Sequence, residues 1–375
     1  MDLRKNRKVQ LLNPFNTTCK RNLFIKKKKN NVLSGITHWK SPSNIALIKY
    51  WGKKSNQIPA NPSLSFSLNN CFTSTKVSFS KTKIDLLDFN FFFHGKREQS
   101  FENKLKNYFD NILIYCSFLK GFKLKIESTN SFPHSSGIAS SASSFAALSL
   151  CIMDIEKKIN PSISENDFFR KASFLARLGS GSACRSIKGF YSLWGQSDLF
   201  EKSSNLFSVK YSDEIKNVFK SLHDTVLIVD KKKKKFSSTQ GHKLMQNHIF
   251  SEARVSQAKV NLSLLKNALK FGDFNLFIKV VESEALSLHA LMMTSDPQFI
   301  LMKPNTLNII NKIWDFRKKT KTNICFTLDA GANVHLIYPK KEFESVQNFI
   351  ISDLSVFCES GKFINDMIGN GSLKL

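Results

Sequence analysis

The run Ser41–Lys54, SPSNIALIKYWGKK, breaks an apolar stretch with Lys49, Tyr50, Trp51, Gly52, Lys53 and Lys54. A segment that only filled a core would not set cations, hydrogen-bonding aromatics and a glycine side by side. A strand end facing an anionic ligand would. Further along, FPHSSGIASSA (Phe132–Ala142) sets a turn at Pro133 and allows close backbone approach at Gly137. It leaves Ser140 and Ser141 at the opening of a long helix, where free N–H groups and the helix dipole suit an anion. The same pattern fits an ordinary capped helix after a turn. LGSGSACRS (Leu178–Ser186) keeps the backbone accessible and can converge Ser180, Ser182 and the planar fork of Arg185 on one anion. Its bland alternative is a Gly/Ser linker, against which the arginine and the flanking helical patterns count. Asp329 in FTLDAGAN is either a turn-former or a functional carboxylate. Thr239 in SSTQG could donate to a phosphate, or could belong to a turn beside the solvated run Lys231–Lys235. Taken together, these stretches point to phosphate chemistry on a carboxylate substrate.

The elements that must position these residues read as a mixed α/β chain. Period-two alternation predicts strands over Thr73–Ser80, Leu87–His94 and Phe122–Ser128. Helices are predicted over Phe101–Leu119, Ser140–Lys158, and Ser164–Leu178 with Ser164 as N-cap and Asp167 completing a capping box. A buried strand follows at Thr225–Asp230, then amphipathic helices at His248–Leu269, Phe274–Met293 and Asn305–Lys318. Strands at Ile324–Leu328 and Val334–Tyr338 flank Asp329–Asn333. Strands, then helices, then strands without steady βαβ alternation imply an α+β architecture. The length of 375 residues allows two domains, with a boundary expected near 200–225.

Composition narrows the function classes. The net charge is +27, which would suit nucleic acid. However, the basic residues are scattered rather than set in a stripe with interleaved aromatics, and the abundance of Lys, Phe, Ile and Asn also fits biased codon usage. Residues 1–35 carry ten basic residues against Asp2 and read as a disordered basic extension or a misassigned start. No apolar run reaches the roughly 18 residues of a membrane span. The seven cysteines are dispersed, with no CxxC pair, as in a reducing, cytoplasmic setting. His242 and His248 are isolated, His289 reads as a core residue, and Cys184 lacks an evident His partner, so neither a metal centre nor a nucleophilic triad is expected.

The ordered set NIALIKYWGKK, FPHSSGIASSAS, GSGSACRS, SSTQG and FTLDAGAN resembles the diphosphomevalonate decarboxylase family of the GHMP kinase superfamily, over about residues 38–375. The resemblance implies a two-domain fold: an N-terminal half (36–215) with a left-handed β-α-β unit, a ferredoxin-like C-terminal half (216–375), and a cleft between them. It implies a homodimer that uses ATP and Mg2+ to phosphorylate the C3 hydroxyl of mevalonate 5-diphosphate, then releases phosphate and CO2 to leave isopentenyl diphosphate. By the same resemblance Asp329 orients or deprotonates the C3 hydroxyl, Lys49 pairs with it, and Arg185 with Asn44 holds the carboxylate. Tyr50, Trp51, Gly52, Lys53, Ser180, Gly181, Ser182, Ala183, Cys184 and Thr239 surround the substrate diphosphate. Lys104 falls near the position of a family arginine, replacing a fork by a point charge. Pro133, Ser136, Gly137, Ala139, Ser140 and Ser141 cradle the ATP phosphates. The alternatives are a sibling that only phosphorylates C3 or takes mevalonate 5-phosphate, and, from another class, a basic nucleic-acid-binding protein. No membrane partner is implied.

Overall fold

The computed structural model describes residues 32–133, 138–211, 213–232 and 238–375, with the side chains of Ser238 and Thr239 left aside. The long hairpin of β1 (Ser34–Ala46) and β2 (Ser63–Lys81) is the spine of the first sheet, paired antiparallel from Ser34–Ser80 to Ala46–Ser65. β3 (Asp88–Phe93), β4 (Lys96–Arg97), α1 (Gln99–Ile112) and β5 (Phe122–Asn130) follow, β3 lying parallel to β5. In β5 the pleat buries Phe122, Leu124, Ile126 and Ser128, while Lys123, Lys125 and Glu127 lie on the other face. Two helices, α2 (Ser140–Ile159) and α3 (Glu165–Gly179), pack against α1 and the β1–β2 hairpin around one apolar core. β6 (Tyr191–Trp194) and β7 (Val209–Lys210) extend this sheet from the buried half of β2.

The chain then enters a second, antiparallel sheet of four strands in the order β11-β8-β10-β9. It contains β8 (Leu222–Leu227), β9 (Cys325–Thr327), β10 (Val334–Pro339) and β11 (Phe363–Met367). Between β8 and β9 run α4 (Ser238–Leu244), α5 (Ser251–Phe271), α6 (Phe274–Met293) and α7 (Pro304–Thr320), and α8 (Phe343–Phe349) follows β10. Several connections tie the halves together. The last strand, β12 (Leu373–Lys374), returns to pair with β1 in the first sheet. The buried Asp366 on β11 accepts the N–H groups of Asn69, Asn70 and Cys71 where β2 bends. One apolar core runs through both halves, from Ile45, Ile48 and Phe66 to Leu262, Leu265 and Phe277. That shared core holds the cleft walls in register.

Several sequence expectations are corrected. The first helix ends at Ile112, not Leu119: the N–H groups of Tyr115 and Cys116 both turn back to the Ile112 carbonyl, which lets Cys116 and Leu119 reach the core. The strand expected at Thr225–Asp230 is Leu222–Leu227, because the Asn333 side chain takes the N–H groups of Val229 and Asp230 and ends the ladder. β2 starts ten residues earlier than its alternation indicates, since Ser63–Leu68 is buried on both faces and carries no period-two signal. Ser164 does cap α3 through the Asp167 N–H, but the Asp167 carboxylate accepts the Ser164 hydroxyl instead of closing the box on its N–H.

Candidate active site

β1 stops at Ala46; the Leu47 and Ile48 N–H groups both still donate to the Leu64 carbonyl of β2, and at Lys49 that pairing has ended. Side chains take over. The Lys49 N–H donates to Glu284 Oε2 (2.7 Å), while its carbonyl accepts from Asn61 Nδ2 (3.0 Å) and Arg254 Nη2 (3.1 Å). The Gly52 N–H donates to His242 Nδ1 (3.0 Å). Burial, with Lys53 and Arg185 nearby, holds the His242 imidazole down at about 3. Its ring is therefore neutral, with Nδ1 free to accept. His242 also packs between Tyr50 (centroids 4.3 Å apart) and Trp51 (4.7 Å), its ring tilted by 36° and 38° to theirs, so α4 grips the Tyr50–Gly52 segment. Trp51 lies so close over Gly241 that a Cβ there would sit 2.4 Å from the indole.

The segment forms one wall of a cavity of about 340 Å3 between the two halves. Across it, after β9, Asp329 meets Lys49 Nζ at 2.9 Å. The Lys49 side chain is 2% exposed and that of Asp329 27%, so the carboxylate fronts the cavity and the ammonium supports it from behind. Burial lowers the affinity of Lys49 for its proton; Asp329 and Glu284 act against that, and Arg185 adds to it. His289, a buried residue of α6, bonds the Asp329 carbonyl through Nε2 (3.1 Å) and so braces the turn. Its place in the core is as the sequence suggests, but its bond to the Asp329 turn carries no signal in the sequence.

Arg185 lies in the short 3-10 turn Gly181–Ser186 after α3. Its Nη1 reaches Ser63 Oγ (2.5 Å) and its Nε reaches Asn44 Oδ1 (3.3 Å). Asn44 in turn donates to the Ser182 carbonyl and to Ser186 Oγ. The guanidinium is thereby fixed in a buried site that lines the cavity. Gly181 is required here: a Cβ would fall 2.8 Å from the Tyr50 hydroxyl and 2.9 Å from the Trp194 ring. Ser180, Gly181 and Ser182 line the cavity, whereas Ala183 and Cys184 turn inward and are fully buried, Cys184 with its thiol on the Gly181 carbonyl. Burial raises the Cys184 thiol to about 12, which removes it as a nucleophile.

The rest of the lining holds cations with fewer partners among the described residues. Lys53 (bonded to Gln57 Oε1, 3.0 Å), Lys104, Ala139 and Ser141 belong to it. α2 begins on Ala139 in the left-handed region (φ 45°) with no side-chain cap; the Ala142 N–H turns back to the Ala139 carbonyl, and those of Ser140 and Ser141 remain available to an anion. Ser141 Oγ lies 3.3 Å from Ser180 Oγ and joins the two serine loops. Ser140, Ser141 and Lys104 also line a neighbouring, mostly apolar cavity of about 140 Å3 walled by Phe91, Phe93 and Phe101. Pro133 is exposed just ahead of this region. Ser136, Gly137 and the Thr239 side chain lie outside the described residues.

Sequence reasoning missed Glu284, Arg254 and Asn61, and undervalued His242. One signal was available: Glu282 and Glu284 interrupt an otherwise apolar helix, and a charge in such a window needs a buried partner. Glu282 finds Arg317 and Glu284 finds Arg254. Among the described residues no group of three or more His, Cys, Asp or Glu side chains could hold a metal ion, and no helix is long and apolar enough to cross a membrane.

Known proteins resemble this chain over most of its length. Residues 41–205 match the model of a diphosphomevalonate decarboxylase-like N-terminal domain, and residues 225–368 that of a mevalonate 5-diphosphate decarboxylase C-terminal domain. Diphosphomevalonate decarboxylase of Saccharomyces cerevisiae is 30% identical over 80% of this chain and 76% of its own length. The Aspergillus fumigatus enzyme is 27% identical over 83% of this chain and 78% of its own length. Among solved structures, mevalonate diphosphate decarboxylase from Staphylococcus aureus superposes with a TM-score of 0.78 at 27% identity, covering 92% of this chain and 98% of the other. A structure described as MDDEF in complex with MVAPP, AMPPCP and magnesium gives 0.77 at 27% identity, covering 91% and 99%.

Proposed function

The chain belongs to the diphosphomevalonate decarboxylase family, and from that premise we propose that it converts mevalonate 5-diphosphate and ATP to isopentenyl diphosphate, ADP, phosphate and CO2. The observation that carries this reading is the Lys49–Asp329 pair, 2.9 Å apart, fronting a cavity that Arg185 enters from a second wall. Asp329 takes or orients the proton of the C3 hydroxyl, so that its oxygen can attack the γ-phosphoryl of ATP. Lys49 keeps that carboxylate ionised and offsets charge on the transferring group. The C3–O bond then breaks with its electron pair going to phosphate. Arg185, steadied by Asn44 and Ser63, holds the substrate carboxylate in place while the C1–C2 electrons become the C2–C3 double bond and CO2 departs. Asp329 remains beside the cation that develops at C3.

Tyr50, Trp51, Lys53 and Lys104 surround the diphosphate. The uncapped start of α2 at Ala139–Ser141 receives the ATP phosphates. Mg2+ neutralises phosphate charge when the nucleotide is bound. Asp329 is the one carboxylate lining the cavity among the described residues, and that donor set fits a metal carried by the nucleotide phosphates beside the Ser140 and Ser141 hydroxyls rather than an all-protein cage. The reading also carries a homodimer and a cytoplasmic setting, the latter supported by six buried free cysteines among the described residues. The division into halves at 215/216, with a left-handed unit before it and a ferredoxin-like unit after it, belongs to the same proposal. The change of sheet between Lys210 and Leu222 supports it, with β12 as the exception.

The test is direct. Purified protein with ATP, Mg2+ and mevalonate 5-diphosphate should release CO2, phosphate and ADP in equal amounts. ADP without CO2 would leave a kinase, and preference for mevalonate 5-phosphate in a parallel assay would move the substrate assignment.

A further inference from the structure

We propose that Arg254 and Glu284, a buried pair contributed by α5 and α6, are positioning residues for Lys49 and act on the reaction through its main chain and its charge. The proposal deepens the functional reading above and rests on it. Lys49 lies three residues beyond the last strand residue of β1, past the reach of the β1–β2 ladder, so its peptide must find other partners. Here the N–H goes to Glu284 Oε2 and the carbonyl to Arg254 Nη2, two side chains that are themselves joined at both oxygens of the carboxylate. Asn261 adds a further donor to Glu284 Oε1 (2.7 Å). The Glu284 carboxylate thus accepts four N–H groups, and the clamp closes on one residue, the lysine that faces Asp329.

Stability alone is a poor account of this pair. Both side chains are at most 1% exposed, and withdrawing two such charges from water costs enough that apolar residues of the same volume would serve the core as well. What apolar residues could not do is fix the direction of the Lys49 peptide. Nor could they supply negative charge beneath a buried ammonium. The charged groups around Lys49 come from every neighbouring element: Asp329 after β9, Arg185 after α3, Asp224 on β8, and the pair itself. Of these, Asp329 and Glu284 favour the ammonium and Arg185 opposes it. Removing the Glu284 charge leaves Arg254 unbalanced as well, so both changes press Lys49 toward neutrality. α6 therefore serves both partners, Lys49 through Glu284 and the Asp329 turn through His289.

Two variants of the full-length protein test the proposal in the CO2-release assay. Glu284→Gln keeps the shape and an acceptor for the Lys49 N–H while removing the charge. Its kcat should fall about 10- to 100-fold with KM values within about threefold, and the alkaline limb of its kcat–pH profile should move about one unit toward lower pH. Arg254→Met/Glu284→Leu replaces the pair with apolar volume. It should lose some stability, because the Lys49 N–H and the Asn261 amide lose their acceptor, yet stay folded at the assay temperature and remain at least about 10-fold slow in kcat. A pair that only stabilised the fold would give a double variant with wild-type kcat and an E284Q variant with an unmoved alkaline limb; either result overturns the proposal. Wild-type protein in the same assay separates the two levels: no CO2 from wild type removes the functional reading, whereas active wild type with indifferent variants removes the clamp alone.

Discussion

The two ends of the cavity are built by different rules. At the Asp329 end every functional group is held by another. Lys49 is fixed by Glu284, Arg254, Asn61 and Asp329, and Arg185 by Ser63 and Asn44. At the Ser141 end the cations are lysines, Lys104 exposed with its ammonium 5.6 Å from the Phe101 ring centroid and Lys53 half-buried and bonded to Gln57. Chemistry on C3 demands orientation within a fraction of an ångström, which buried, mutually bonded groups supply. Holding phosphates demands positive potential, which mobile point charges and a helix start supply with little geometric precision. The contrast predicts that substitutions at the first end will lower kcat steeply and that those at the second will raise KM gently.

The largest effect belongs to Asp329→Asn. It keeps the shape and removes the charge, and kcat should drop by about three orders of magnitude while ATP still binds. A kcat within tenfold of wild type would take Asp329 out of the mechanism and dissolve the contrast at its root. Next comes Arg185→Lys. The guanidinium makes directed bonds to both Ser63 and Asn44, and an ammonium cannot hold both while presenting a fork to the carboxylate. A fall of about 100-fold in kcat/KM is expected, because a two-point contact becomes one; equal activity would show that charge alone suffices there. The third test concerns the neutral ring beneath the aromatic wall. His242 has a folded-state value near 3 against an ordinary 6.5, so the folded protein binds fewer protons than the unfolded chain and stability falls as pH drops below 6.5 toward 3. Between pH 7.5 and 5 that loss should approach about 2 kcal/mol, and His242→Asn, whose side-chain oxygen can still accept from Gly52, should abolish this share of it in chemical denaturation. Parallel curves for the two proteins would mean that His242 is protonated in the fold.

What the sequence made legible follows from how the signals arise. Phe274–Met293 was readable to its bounds because one continuous stretch carries the apolar pattern, whereas the helix expected over His248–Leu269 runs Ser251–Phe271. Lys49, Tyr50, Trp51, Arg185 and Asp329 stood out because each breaks its local pattern, a cation in an apolar run or an acid among small residues. The support beneath them was hidden for the opposite reason. Arg254 is 205 residues from Lys49, on a helix whose surface is full of other charges, and nothing local marks it as buried. The early half of β2 was missed because full burial on both faces erases alternation. Partnerships across the two halves, such as Asp366 with Asn69–Cys71, depend on the closed fold and have no counterpart in spacing.

The smallest expected effect tests the loose end of the cavity. Lys104 is exposed on α1 and lines both the main cavity and its apolar neighbour, so its ammonium contributes potential rather than a directed bond. Lys104→Ala should raise KM for the diphosphate substrate about tenfold and leave kcat within about twofold, a loss of about 1.4 kcal/mol in binding alone. Because the interaction is partly screened, the difference between the two proteins should shrink as ionic strength rises from about 0.05 to 0.5 M. Lys104→Arg offers the converse: a fork in place of a point charge should lower KM below wild type if the diphosphate presents two oxygens to this position. A kcat loss in K104A as steep as that of R185K would mean that Lys104 is oriented like the residues at the far end. The cavity would then be uniformly preorganised, and its phosphate end would depend on fixed geometry as much as its carboxylate end does.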